Sequence, residues 1–155
     1  MTPSLASIAR YFRIGVELGL CDPDEAREWA ISVIDQSDAP PGEIIEVSWR
    51  KPRAQLIADL GAIEGEPEMD LVRGWLLGRL ALTLGDTDDG LGRAVKQAMQ
   101  IARATGHADL YAGFDVIDDE LQLAQSGTYG SVAACRDDFD AALRAYGVPP
   151  LSARG

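Results

Sequence analysis

The chain is poor in the residues that catalytic and metal centres most often need. Its 155 residues include one histidine, His107, and two cysteines, Cys21 and Cys135, which lie far apart and belong to no CxxC pair. A structural zinc site usually needs four Cys or His ligands in closely spaced pairs. His107 also has no Ser or Cys nucleophile beside it in a recognisable context. We therefore expect free thiols, no metal, no cofactor and no enzymatic activity.

Positive charge and long apolar runs are also scarce. The chain has 14 basic and 25 acidic residues, a net charge of -11. A nucleic-acid binder displaces counterions with Lys and Arg, and anionic lipid attracts the same residues, so both partners are disfavoured. The most apolar run, residues 71–84, contains Arg73 and Arg79 and is shorter than the roughly 20 residues that span a bilayer. The first residues lack the charged and apolar regions of a secretory signal, so we expect a cytoplasmic protein.

Apolar residues recur at helical spacing along nearly the whole chain, and strand-like alternation is scarce. We therefore expect an all-α fold of six or seven helices, arranged as antiparallel helical hairpins in a bundle or a short α-solenoid-like stack. The length suits one domain, over residues 1–148, followed by a flexible tail over 149–155. Residues 43–47 are ambiguous, and we favour one or two helical turns because a lone strand would have no partner.

Several residues indicate where helices begin. In Asp22-Pro23-Asp24-Glu25, the first residue is a natural N-cap, the proline suits the first turn and Glu25 completes a capping box. Pro52 suits the start of a later helix, and Ser131 can cap the last one.

The turn at residues 85–90 and the single histidine have structural interpretations. The aspartates at 86, 88 and 89 are expected to form the turn and to cap the following helix. A calcium loop is disfavoured because its twelfth position would be Gln97 rather than Glu. His107 follows Gly106 at a helix exit, where it could interact favourably with a helix C-terminus.

Glycines inside the helical segments predict close packing or kinks rather than a ligand. They are Gly15, Gly74, Gly78 and Gly113. Two of them also belong to a weak internal repeat, in which Asp70-Leu71 with Gly74-Trp75 matches Asp109-Leu110 with Gly113-Phe114. The helix around Trp75 is apolar almost all round, which predicts a central position.

The negative charge is concentrated in two stretches. Residues 21–48 contain eight acidic side chains and one basic one, and residues 106–147 contain eight acidic and two basic ones. The segment between them, 49–105, has eight of each sign. Acidic surfaces attract basic partners and speed their association, although the same charge also serves solubility.

The densest acidic patch is predicted on one helix. Asp115, Asp118 and Asp119 share a helix face with Gln122, because steps of three and four residues return to the same side. One interpretation is a divalent-metal site. With Glu25 and Glu28, and Glu43 and Glu46, the patch resembles the ExxE and ExxD carboxylates of all-helical nucleotide pyrophosphohydrolases. No basic cluster for a triphosphate accompanies them, which favours a solvated or partner-binding face.

Residues 29–60 resemble a group of bacterial proteins. The resemblance is carried by Trp29-Ala30, Ile34, Pro40-Pro41, the run Glu43-Ile44-Ile45-Glu46-Val47-Ser48, then Leu56-Ile57 and Leu60. This pattern is similar to uncharacterised small all-helical proteins found among the immunity proteins of polymorphic-toxin systems. It implies no catalytic residues. It implies an inhibitor that binds a toxin, often a basic nuclease, through an acidic surface.

The sequence therefore favours a non-enzymatic protein-binding module with a basic protein partner. Its predicted partner-binding residues are Asp115, Asp118, Asp119, Asp137, Asp138, Asp140, Glu43 and Glu46. Two alternatives stay open: a metal-dependent nucleotide pyrophosphohydrolase-like enzyme, and a helical scaffold or homo-oligomeric subunit.

Overall fold

The computed structural model describes residues 3–151, and over this range the chain is all-α. It contains α1 (Leu5–Glu17), α2 (Pro23–Asp35), α3 (Gly42–Ser48), α4 (Arg53–Gly61), α5 (Met69–Thr83), α6 (Asp88–Ala104), α7 (Ala108–Gln125) and α8 (Val132–Tyr146). No strand occurs within residues 3–151. The predicted fold class is confirmed. The eight helices within residues 3–151 are one more than the upper predicted number, seven, and the ambiguous segment 43–47 is helical, within α3.

The described chain divides into two compact units. One comprises residues 3–72 with Leu151, and the other comprises Arg73–Pro150. The boundary falls inside α5. The single domain predicted over residues 1–148 stays a prediction. Of the predicted tail, residues 152–155 lie outside the described residues. Among helices that are described, none combines the length and apolarity needed to cross a bilayer.

The first unit is built on α1 to α4. α2 packs on α3, and α1 packs on α4. Their apolar sides meet in a core where the rings of Phe12 and Trp29 lie 5.7 Å apart. The capping box at the start of α2 is present as predicted, with Asp22 accepting from the Asp24 backbone and Glu25 accepting from the Asp22 backbone. These two carboxylates therefore begin a helix.

The end of α1 is held by the start of α4. Arg53 donates from Nη2 to the carbonyl oxygens of Val16 at 3.0 Å and Glu17 at 2.8 Å. Terminal carbonyls of a helix have no partner within the helix, and a guanidinium satisfies them while complementing their partial negative charge. This contact orders the segment that follows Pro52.

The second unit consists of antiparallel neighbours. α7 packs against both α6 and α8. The end of α7 meets the start of α6, where Gln125 donates to the Asp88 carbonyl oxygen. The start of α7 meets the end of α8, where the rings of His107 and Tyr146 lie edge to face. Phe114 of α7 and Phe139 of α8 form the centre of this core, with their rings 5.7 Å apart.

A buried arginine joins α5 to the end of α6. Arg73 is 7% exposed, and it donates from Nε to the Thr105 hydroxyl at 2.9 Å and from Nη2 to the Thr105 carbonyl oxygen at 2.8 Å. Buried charges are stable only when they are hydrogen-bonded. Arg73 therefore fixes how α5 and α6 meet within this unit.

The segment that follows α8 packs against two glycines of α5. The Val148 amide donates to the Gly74 carbonyl oxygen at 3.0 Å, and a Cβ on Gly78 would lie 1.8 Å from the Val148 carbonyl oxygen. The predicted role of Gly74 and Gly78 in close packing is confirmed, although the packed element is an extended segment and not a helix. A Cβ on Gly113, the repeat partner of Gly74, would meet no neighbouring element within 4 Å.

The turn before α6 differs in detail from the sequence prediction. Thr87 caps α6, since its Oγ1 accepts from the Gly90 amide at 3.0 Å, whereas Asp88 and Asp89 lie in the first turn. The expectation that an aspartate caps this helix is therefore wrong. Asp88 and Asp89 still complement the partial positive charge of the helix N-terminus.

Candidate protein-binding surface

The candidate surface begins with α7, whose two faces differ in chemistry. Leu110, Phe114 and Leu121 are buried, and their helical spacing places them on one face. Asp115, Asp119 and Glu120 are exposed on the remaining circumference. The period of the sequence thus separates the core face of this helix from a carboxylate-rich outer face.

The first turn of α7 depends on the single histidine. His107 Nδ1 accepts a hydrogen bond from the Leu110 amide at 3.0 Å, so the imidazole is the N-cap. Its backbone amide donates to the Ala102 carbonyl oxygen at 2.9 Å, and Gly106 before it has a φ of 74°. This is the arrangement of a Schellman motif, in which a residue in the left-handed region closes the preceding helix. The predicted position of His107 at a helix exit is confirmed for its backbone, but its ring caps the following helix.

Asp118 differs from its neighbours because it is buried. It is 7% exposed, and its Oδ2 accepts from Lys96 Nζ at 3.2 Å and from Gln122 Nε2 at 3.1 Å. Lys96 belongs to α6, so this ion pair joins two packed helices. Among the predicted partner-binding residues, Asp118 therefore has a structural role inside the unit.

The carboxylates of Asp115, Asp118 and Asp119 come together as their helical spacing predicts. One oxygen of each lies within 4.8 Å of the others, a separation that a divalent cation could bridge. The Asp118 carboxylate, however, already accepts from Lys96 and Gln122 through its Oδ2. Two exposed carboxylates and one carboxylate already paired with a lysine make a weak cation site, because divalent ions favour several free oxygen ligands.

The carboxylates of α8 continue the negative surface beside α7. Asp137 and Asp138 are exposed, and Asp140 is half-buried. Glu120 and Asp138 line a groove of about 190 Å³, together with Tyr129 and the buried Cys135. Burial raises the pKa of the Cys135 thiol, and the charges of Glu120 and Asp138 raise it further. The thiol is therefore held in its protonated, unreactive form at neutral pH.

Four exposed carboxylates of α7 and α8 have no cation beside them in the described chain. Within residues 3–151, Asp115, Asp119, Asp137 and Asp138 take part in no ion pair. Two cations of this unit are engaged elsewhere. Lys96 pairs with Asp118, and the Arg136 guanidinium donates to the carbonyl oxygens of the loop before α6. The negative charge of this surface is thus left to solvent and to any partner.

The two remaining predicted residues lie on α3, in the other unit. Glu43 is half-buried in the first turn, and Glu46 is exposed one turn later. Ile44 and Val47 of the same helix are fully buried. In the segment that resembles immunity proteins, the apolar residues of α3 therefore face the core, and the acidic residues lie on more exposed positions of the same helix. Its apolar positions are accounted for by packing.

Three exposed apolar residues on α7 or just after it were not among the predicted partner-binding residues. Val116 is 54% exposed, Leu123 is 43% exposed and Tyr129 is 75% exposed. A signal for the first two was present in the sequence. The core stripe of α7 already includes Leu110, Phe114 and Leu121, so Val116 and Leu123 must lie on the opposite face.

Comparison of the chain with protein-family models, with curated proteins and with solved structures finds no match in any of the three. A function must therefore be inferred from the residues of this chain.

Proposed function

We propose that the protein is a non-enzymatic binding module whose acidic surface recognises a basic protein. The observation that supports this most directly is a set of four exposed carboxylates on α7 and α8 that take part in no ion pair within residues 3–151: Asp115, Asp119, Asp137 and Asp138. Like charges held together on a surface cost free energy unless a partner of opposite sign approaches. Such surfaces steer a basic partner and accelerate its association.

The partner class follows from the same charge together with the resemblance over residues 29–60. An immunity-type inhibitor blocks a toxin encoded beside it, and a basic nuclease would complement these carboxylates. We infer that the product of the adjacent gene is the first partner to test. Glu43 and Glu46 could contribute a second contact, from the other unit.

The test compares two variants of equal net charge. In the first, Asp115, Asp119, Asp137 and Asp138 are all changed to Asn. In the second, four exposed acidic residues outside the surface are neutralised: Asp35→Asn, Asp38→Asn, Glu64→Gln and Glu66→Gln. Asp118 is left intact in both because it is buried and paired.

Affinity for the adjacent gene product is measured by calorimetry at about 50 and 300 mM NaCl. We expect the surface variant to bind at least about tenfold more weakly at low salt and the control to lose less than about twofold. Equal losses of affinity in both variants would show that affinity depends on the net charge and not on the position of the carboxylates. Affinity that is indifferent to the surface variant and to salt would contradict the proposal.

A further inference from the structure

The outer face of α7 carries a row of apolar side chains between its carboxylates. Ala112, Val116 and Leu123 are exposed, at steps of four and seven residues along the helix. Such steps return to the same side of a helix, so the three lie in line over about 17 Å. Tyr129 follows the helix end, where its amide donates to the Leu123 carbonyl oxygen, and it lines the groove with Glu120 and Asp138. We call Ala112, Val116 and Leu123 the α7 ridge.

The α7 ridge is set apart from the core by the geometry of the helix. Phe114 and Leu121, on the opposite side, are fully buried. Single exposed apolar residues are common on protein surfaces, but contiguous ones mark interaction sites more often. An apolar centre surrounded by a polar rim is also the usual layout of a protein interface.

Carboxylates flank the α7 ridge on both sides. Asp115 and Asp119 follow one edge, because each is three or four residues from a ridge position and rotated to the same side. Glu120 follows the other edge and continues into the groove that it shares with Asp138. An apolar centre with negative borders is complementary to a segment with an apolar centre and positive borders.

This charge pattern selects among the occupants that an apolar ridge could have. A second copy of the chain would bring carboxylates against carboxylates, and an anionic lipid surface would be repelled in the same way. A helix with apolar residues at i, i+4 and i+7 and with Lys or Arg on both flanks matches the spacing and the charge.

We propose that the α7 ridge is the docking site for a basic amphipathic helix of the partner protein. This inference rests on the proposed function and adds the secondary structure of the recognised segment. Val116 and Leu123 pack against the apolar side of the incoming helix. Asp115, Asp119 and Glu120 pair with its flanking cations.

Two synthetic peptides of identical composition test the inference. One is an 18-residue Lys/Leu peptide with its leucines at i, i+4, i+7 and i+11. The other contains the same residues in an order that scatters the leucines around the helix. Fluorescence anisotropy measures the affinity of the full chain for each. The wild-type chain is expected to prefer the amphipathic peptide by about tenfold or more.

The variant Val116→Ser/Leu123→Ser should reduce this preference to about onefold while leaving the affinity for the scattered peptide unchanged. A matched control, Ile31→Ser/Leu82→Ser, removes two exposed apolar residues elsewhere and should retain the preference. Circular dichroism checks that both variants stay helical. The variant Asp119→Asn/Glu120→Gln should weaken the binding of both peptides.

Two outcomes would overturn the docking site. One is that the wild-type chain binds the two peptides equally or binds neither of them. The other is a preference that survives Val116→Ser/Leu123→Ser. If the two peptides bind equally, but their affinity still falls with added salt and in Asp119→Asn/Glu120→Gln, the α7 ridge is not a docking site. The proposed function of the acidic surface is then still supported. Binding of the adjacent gene product decides that function separately.

Discussion

A single imidazole determines how α7 begins. His107 is the N-cap, and Ser, Thr, Asp and Asn are the usual residues at that position because their oxygens accept from the first free amides. A neutral imidazole supplies the same acceptor through Nδ1. It also contacts the ring of Tyr146, with 6.0 Å between centroids. The residue therefore contributes both to the start of α7 and to its packing on α8.

These two contributions can be separated by mutation. We expect His107→Ala to lower the free energy of unfolding by about 1 kcal/mol or more, because it removes the cap and the ring contact. His107→Asn removes only the ring contact and should be more stable than His107→Ala. Urea unfolding followed by circular dichroism measures the difference. Equal stabilities of the two variants would show that the capping bond contributes nothing.

A partly buried ion pair in the first unit predicts a pH dependence. Asp59 pairs with Lys51, and its other oxygen accepts from Gln55 at 2.9 Å. Burial by itself would raise the pKa of Asp59. The hydrogen bonds from Lys51 and Gln55 and the charge of Lys51 outweigh burial, so the pKa of Asp59 is lowered below its ordinary value.

A lowered pKa in the folded state means that ionised Asp59 stabilises the fold. Its contribution is fully present above the ordinary aspartate pKa of about 3.9 and is lost as the pH falls through the folded value. We expect Asp59→Asn to be less stable than the wild type at pH 7, and the difference to shrink below about pH 4. Urea midpoints between pH 3 and 7 measure this. A constant difference across that range would contradict the prediction.

At the scale of the element, α5 is shaped by what lies against its glycines. Gly78 leaves room for the carbonyl group of Val148, whereas Gly113 of α7 faces open space. We expect Gly78→Ala to lower the thermal midpoint, because the Cβ must displace the backbone at 147–150. Gly113→Ala should raise the free energy of unfolding by about 0.5–1 kcal/mol, since Ala is the better helix former.

Calorimetric scans of both glycine variants provide the test. The two substitutions add the same atoms to helix interiors of the same unit, so each serves as the control of the other. A Gly78→Ala variant that is as stable as Gly113→Ala would mean that the segment after α8 does not hold its position on α5.

The elements themselves were predictable because their determinants are local. The capping box at Asp22, the helix start after Pro52 and the Ser131 cap each involve residues within one turn of one another. The same holds for the buried positions of α7, which follow from helical period alone. The segment that forms α3 was ambiguous because seven residues contain too few repeats to distinguish the helical period of 3.6 residues from the strand period of 2 residues.

What was missed depends on contacts between distant residues. Asp118 and Asp119 are adjacent and chemically identical, yet only Asp118 meets Lys96, which lies on another helix. No pattern within α7 distinguishes them. In the same way, Gly74 and Gly113 occupy equivalent repeat positions, and only the packing of Val148 separates their roles. The candidate surface was therefore predictable as a helix face but not residue by residue.

At the scale of the whole molecule, the net charge of -11 divides into contributions with different surroundings. The acidic stretch at 21–48 lies in the first unit, where Asp22 and Glu25 cap a helix. The stretch at 106–147 lies in the second, where four carboxylates of α7 and α8 are exposed and form no ion pair with the described part of the chain. Charge of one sign destabilises a folded chain by self-repulsion, and salt screens that repulsion. The thermal midpoint should therefore rise with moderate NaCl.

A divalent cation distinguishes screening from a metal site. At matched ionic strength, we expect millimolar MgCl2 or MnCl2 to raise the thermal midpoint no further than NaCl does, because Lys96 already occupies the central carboxylate of the α7 cluster. Specific binding would instead add stability that grows with the logarithm of the cation concentration. Asp115→Asn/Asp119→Asn would then abolish the added stability, while Asp137→Asn/Asp138→Asn would retain it. That result would favour the metal-dependent hydrolase over the binding module, since it would give the α7 carboxylates a ligand other than a basic protein.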